Sequence, residues 1–176
     1  REERRLWLIR DRLGIKPLYF GLVGNRFLFG SELKALRATD GWEPEIDRDA
    51  IAAYMRFNYI PTPRSVYKDV YKLPPGSILS YEPGGEPDVW RYWKMADIAQ
   101  QSRINVPENK AVSAAETLMR DAIGRRMVAD VPLGALLSGG VDSTTVAALM
   151  QEESERPIKT FTIGFEDAEY DEAEDA

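Results

Sequence analysis

The chain has 176 residues, of which 44% are apolar and 30% charged, the balance of an ordinary globular protein with room for one domain or two small ones. It contains neither Cys nor His, which excludes a disulfide framework, a Cys/His zinc site, a Cys nucleophile and a His general base within these residues. The formal net charge of −6 is concentrated: residues 166–176 hold seven of the 29 acidic residues and no Lys or Arg, so the rest is near neutral and offers no basic surface for nucleic acid.

No apolar run approaches the roughly 18 residues of a membrane span. The start, Arg1-Glu2-Glu3-Arg4-Arg5, is charged and unlike a signal peptide. A cytoplasmic location is expected. The absent initiator Met leads us to expect a chain that begins inside a longer protein.

Residues 4–10 and 18–22 read as strands, separated by a turn over Asp11 to Pro17 with Gly14 and Pro17 as breakers. Gly24-Asn25 is a hairpin signal, and 26–30 returns as a third strand. Ser31 is the expected cap of a short helix through Leu36. Asp47 opens a second helix whose apolar face is Ile51, Ala52, Tyr54, Met55 and Phe57. The two prolines in Tyr59 to Ser65 demand extended or turned chain. Lys72 to Gly76 is a turn, followed by a strand over 77–81. Pro83-Gly84-Gly85 turns the chain into a strand over 89–93. The aromatic cluster there has two readings, a stacking platform for bases or ordinary packing, and aromatic strand residues more commonly pack.

Residues 100–109 are polar and read as a linker. A helix over about 108–127 should then bury a stripe of Val112, Ala115, Leu118, Met119, Ala122, Ile123 and Met127. Arg125 and Arg126 suit its C-terminal dipole, with a phosphate contact as the alternative. Next come a strand over 133–137, a glycine loop, a helix to about 154 with Val146, Ala147, Leu149 and Met150 on one face, and a strand over 158–165. Strand–helix–strand of this length implies a parallel pair, whose ligands lie at the C-terminal strand edge. That edge brings together Ser138, after Leu137, and Gly164, after Ile163. Phosphates are expected at the first loop and a flat apolar base between Leu137 and Ile163.

The loop Ser138-Gly139-Gly140-Val141-Asp142-Ser143 carries the chemistry. The glycines allow close backbone approach, the helix start presents amides to an anion, the serines add hydroxyls, and Asp142 could hold a metal beside phosphates. The bland alternative is a plain turn with a helix cap. The whole string resembles the PP-loop of ATP pyrophosphatases. A Walker loop is absent.

Four ordered segments, Arg10 to Tyr19, Ser31 to Leu36, Lys72 to Gly76 and Asp130 to Ser143, resemble glutamine-hydrolysing asparagine synthetases. The resemblance implies an α/β with α+β chain: residues 1–99 as the C-terminal part of an N-terminal-nucleophile glutaminase β-sandwich, 100–109 as the linker, and 110–176 as the first strand–helix–strand of a PP-loop synthetase fold. It implies release of ammonia from glutamine, ATP-dependent adenylation of the aspartate side chain, and amidation to asparagine with AMP and pyrophosphate as products. It assigns Leu137, Ser138, Gly139, Gly140, Asp142, Ser143, Ile163 and Gly164 to ATP, and Asp142 also to Mg2+. The family's nucleophilic Cys is absent, so these residues contain no catalytic group, and a later Ser-Gly-Glu-Gly-Ser-Asp-Glu stretch is absent too. An internal piece of a longer enzyme is expected, inactive by itself and binding ATP weakly. Its partners are glutamine, aspartate and ATP, with no nucleic acid and no membrane, and a homodimer stays open. The competing readings are a related amidotransferase acting on a cell-envelope precursor, a β-lactam-type synthetase, and a non-catalytic interaction or regulatory module.

Overall fold

The computed structural model describes residues 4–101, 105–165 and 173. The acidic stretch noted above therefore lies almost wholly outside the described residues. The chain divides into two compact units, Arg1–Ser102 and Arg103–Ala176.

In the first unit, β1 (Leu6–Ile9), β2 (Tyr19–Val23), β3 (Arg26–Gly30), α1 (Leu33–Arg37), α2 (Arg48–Phe57), β4 (Val70–Lys72), β5 (Ser77–Tyr81), β6 (Asp88–Arg91) and α3 (Met95–Ala99) follow in order. The strands form two antiparallel sheets, β1-β5-β6 and β3-β2-β4. In β5 alternation sends Ser77, Leu79 and Tyr81 inward. Leu8, Leu79 and Tyr81 of the first sheet meet Phe20 of the second, with Leu73 beside them and Leu6, Leu18, Leu22 and Phe27 around the edge. Phe27 stacks on Tyr81 with ring centroids 4.2 Å apart.

The Gly24-Asn25 turn joins β2 to β3 with Val23 opposite Arg26, and Gly24 takes φ +58°, as a tight hairpin requires. Ser31 does not cap α1. The cap position is Glu32, which makes no side-chain cap bond, and the helix is held by burial of Leu36. Asp47 caps α2 as its residue type predicts, accepting from the Asp49 and Ala50 amides at 2.9 and 3.2 Å. The expected apolar face of α2 is largely exposed, with Met55 at 75%, and the residue it buries is Ala50. The aromatic cluster packs: Trp90 meets Trp7 edge-on, and the Tyr92 hydroxyl donates to the Arg10 carbonyl at 2.9 Å. The short strand β4 and helix α3 carry too few residues for a periodic signal, and sequence reasoning passes over both.

The Asp11 turn is a small hydrogen-bonded unit. Its carboxylate accepts from the Ile15 amide at 3.0 Å and the Lys16 amide at 3.2 Å. The Ile15 bond is the main reason its pKa lies below the ordinary carboxylate value; desolvation opposes it, and the Lys16, Gly14 and Leu13 amides add to the lowering. A carboxylate with a lowered folded-state pKa stabilises the fold fully above its unfolded pKa of about 3.9, and loses that contribution as pH falls through the folded value. We expect Asp11→Asn to lower the melting temperature at pH 6, with the gap from wild type closing below about pH 4. A gap independent of pH would show that the charge on Asp11 contributes nothing.

In the second unit, α4 (Glu108–Arg126), β7 (Gly134–Leu136), α5 (Val141–Glu152) and β8 (Lys159–Phe161) follow. The two strands are parallel, pairing Gly134 with Lys159 and Leu136 with Phe161. Both are shorter than the expected 133–137 and 158–165. Arg120 ties α4 to α5 through Glu152, while also pairing with Glu116 one turn back at 2.9 Å. The expected stripe on α4 is buried only toward its C-terminal half: Ile123 is buried, Met119, Ala122 and Met127 are half-buried, and Val112 and Leu118 remain exposed. The helix α5 packs against α4, and Arg120 of the C-terminal half reaches Glu152. Among the described residues no helix is long and apolar enough to cross a membrane.

Candidate functional site

The loop between β7 and α5 is built by its own sequence. Leu137 continues the parallel pairing by donating its amide to the Phe161 carbonyl at 2.9 Å, and Thr162 Oγ1 donates to the Leu137 carbonyl at 2.9 Å. The chain then reverses at Gly139, whose φ of +69° lies in the left-handed region that glycine enters without cost. Gly140 is the extended N-cap of α5, and the first helical bond runs from the Thr144 amide to the Gly140 carbonyl at 3.0 Å.

This arrangement leaves donors without acceptors. The amides of Gly139 through Ser143 find none among the described residues. They lie at the positive end of a 12-residue helix. Ser143 Oγ accepts from the Ser138 amide at 3.2 Å, donates to the Gly140 carbonyl at 3.1 Å and lies 3.0 Å from Ser138 Oγ. Asp142 is exposed in the first turn and has no ion pair among the described residues. Such a set of amides and hydroxyls can bind an anion with several oxygens.

The structure thus gathers Ser138, Gly139, Gly140, Asp142 and Ser143 in one turn of chain. Leu137 is half-buried at the end of β7. Ile163 and Gly164 follow the Thr162 contact beyond β8, and both are exposed, Ile163 at 67%. A cavity of about 430 Å3 borders the loop on another side, between α4, β7 and α5. Ile123, Leu133, Val146 and Met150 form its apolar walls, and Arg126, Asp142 and Ser143 supply polar groups; neither Leu137 nor Ile163 lines it. Sequence reasoning missed this cavity, because it depends on how α4 lies across β7 and α5. Arg126 also donates to the Ala122 carbonyl at 2.9 Å, and Arg125 pairs with Asp121 at 2.9 Å.

Among the described residues there is no group of three metal-ligating side chains. Asp142 is the one carboxylate in the loop. Magnesium is commonly held by one or two carboxylates together with phosphate oxygens and water, so this donor set fits Mg2+ accompanied by a bound polyphosphate.

In the first unit, the Arg10 guanidinium is buried and has no carboxylate partner among the described residues. It donates to the carbonyls of Leu73, Lys16 and Gly14 at 2.6, 3.0 and 2.9 Å. Lys72 nearby donates to the Ile60 carbonyl at 2.7 Å. Burial, and then the Arg10 charge, hold the Lys72 pKa below its ordinary value. Both cations donate to main-chain carbonyls.

Comparison with known proteins assigns each part. The family model described as a glutamine amidotransferase domain matches residues 1–93, more than half of the chain, which places the protein in the amidotransferase class. A second model, asparagine synthase, matches residues 114–176 and takes in the whole Ser138–Ser143 loop. The chain belongs to the glutamine-hydrolysing asparagine synthetase family. It is 38% identical over 167 residues to a putative asparagine synthetase [glutamine-hydrolyzing] 2 of Methanocaldococcus jannaschii, covering 93% of this chain and 32% of that protein. It is 33% identical over 169 residues to asparagine synthetase [glutamine-hydrolyzing] 1 of Bacillus subtilis, covering 96% and 26%. It is also 30% identical over 151 residues to the amidase chry2 of Gibberella zeae, covering 85% and 22%. The chain therefore spans a third or less of the length of these curated relatives.

Proposed function

We propose that this chain is part of a glutamine-dependent, ATP-using carbon–nitrogen ligase. Residues 1–99 belong to a glutaminase of the N-terminal-nucleophile type, 100–109 form the linker, and 110–176 open the PP-loop synthetase domain. In the whole protein the glutaminase releases ammonia from glutamine. The synthetase joins the aspartate side-chain carboxylate to the α-phosphate of ATP with loss of pyrophosphate, and ammonia then displaces AMP to give asparagine. Adenylation turns a poor electrophile into one with a good leaving group.

The observation that carries this reading is the loop at the start of α5, with its unpartnered amides, its two hydroxyls and Asp142, inside the segment matched by the asparagine synthase model. The amides hold phosphate oxygens by donating to them, and their fixed orientation stabilises charge that develops on a departing pyrophosphate. The Ser138 hydroxyl adds a donor. Asp142 would hold Mg2+ against the same phosphates. When bound, Mg2+ neutralises phosphate charge and assists pyrophosphate departure. Leu137, Ile163 and Gly164 flank the adenosine in this reading. The chain has no Cys to serve as the glutaminase nucleophile, so these residues alone should not hydrolyse glutamine.

Calorimetry with Mg-ATP on the 176-residue chain tests the site. We expect weak binding, reduced roughly tenfold or more by Asp142→Ala, in line with the loss of one charged ligand. Equal heats for both proteins would overturn the assignment and favour a non-catalytic module.

The second reading concerns the acceptor alone: a carboxylate other than aspartate, such as a cell-envelope precursor, is adenylated. A panel of carboxylates offered to the full-length protein separates the two: AMP formation dependent on aspartate supports the first, and formation dependent on another acid supports the second.

A further inference from the structure

We propose that the first unit carries a binding cleft for a small organic anion, a carboxylate or phosphate borne on a short apolar body. The cleft encloses about 280 Å3. Trp93, Pro75 and Leu13 give it apolar walls, and Arg12, Arg91 and Lys94 give it three cations. No Asp or Glu lines it.

Main-chain bonds around Gly76 hold these groups together. The Gly76 amide donates to the Asp11 carbonyl at 2.9 Å, and the Tyr92 and Trp93 amides donate to the Gly76 carbonyl at 2.8 and 3.2 Å. The Asp11 turn, which bears Arg12 and Leu13, therefore meets the segment that bears Trp93 and Lys94. Arg91 ends β6 opposite Ser77. Elsewhere in this unit exposed cations take carboxylate partners, Arg5 with Glu82 and Lys68 with Glu45. Arg12, Arg91 and Lys94 form no ion pair among the described residues. The carboxylate beside Arg12 in the chain, that of Asp11, is already engaged by the Ile15 and Lys16 amides.

Three like charges at one cleft repel, and low-dielectric walls focus their field on its interior. A bound anion relieves that repulsion, and a guanidinium fork can take both oxygens of a carboxylate or two of a phosphate. Trp93 is half-buried, so its exposed part adds apolar area to the same space. The volume falls at the lower end of ligand clefts, about 300–1,000 Å3, and leaves room for a single ring or a branched chain.

NMR on the 176-residue chain tests this by following the Gly76 and Lys94 amides and the Trp93 indole N–H. The probes are benzoate, phenyl phosphate, neutral benzamide and inorganic phosphate. We expect saturable shifts at these three groups with benzoate or phenyl phosphate, the tighter of which identifies the acid, weaker binding of inorganic phosphate and none of benzamide. Arg12→Gln combined with Arg91→Gln should weaken binding about tenfold, the scale of a lost charged hydrogen bond, with the circular dichroism unchanged. Leu13→Ser should weaken it several-fold. If the double variant fails to fold, Lys94→Gln at an exposed position carries the same test, with a several-fold loss. Benzamide binding as tightly as benzoate, inorganic phosphate binding as tightly as phenyl phosphate, shifts confined to other residues, or charge variants that bind like wild type each overturn the proposal, as does the absence of any shift.

Discussion

Replacing Arg10 with Ala should cost the first unit about 3–5 kcal/mol, since three backbone carbonyls lose a charged donor in a partly or wholly buried setting. The Leu73 carbonyl is the most buried of them, and it faces the guanidinium at 2.6 Å. Gly14 and Lys16 belong to the Asp11 turn, so one side chain joins that turn to the segment leading into β5. Lysine offers a single compact head and cannot serve three diverging acceptors as a planar fork does. Arg10→Lys should therefore recover less than half of the loss. Urea unfolding of both variants, followed by circular dichroism, checks this. A loss below about 1 kcal/mol in Arg10→Ala would mean that water replaces the guanidinium without penalty.

Gly76→Ala should cost about 2–4 kcal/mol, from a left-handed backbone forced on an L residue and from a backbone collision. Gly76 has φ +62°, and a Cβ there would lie 2.4 Å from the Trp93 carbonyl oxygen. That oxygen belongs to main chain and cannot swing aside as a side-chain end would. The Gly76 carbonyl also accepts from the Tyr92 and Trp93 amides at 2.8 and 3.2 Å, and its amide donates to the Asp11 carbonyl at 2.9 Å. The substitution should loosen the segment after β6 as well as the Asp11 turn. Thermal unfolding with tryptophan fluorescence reports both, and a melting curve coincident with wild type would refute the account.

Features with a purely local cause were legible in the residues. The Gly24-Asn25 hairpin, the Asp47 cap and the Ser138–Ser143 loop each depend on a backbone conformation or hydrogen bond that neighbouring residues determine. The loop could be assigned to phosphate chemistry because glycines, hydroxyls and a carboxylate occur together at one strand-to-helix junction. Periodicity was a weaker guide. It identified the apolar faces of α2 and α4 but not their burial, because burial requires a partner, and Met55 and Leu118 have none covering them among the described residues.

The amino-acid sequence by itself determined the order of the principal elements, the chemical character of the loop and the absence of any thiol or imidazole, since these follow from residue type and short-range geometry. Tertiary structure alone decided that Arg10 is buried on three carbonyls, that Leu36 rather than a capping serine holds α1, and that a cavity opens beside Asp142. Each of these depends on how strands and helices pack, which no local pattern encodes.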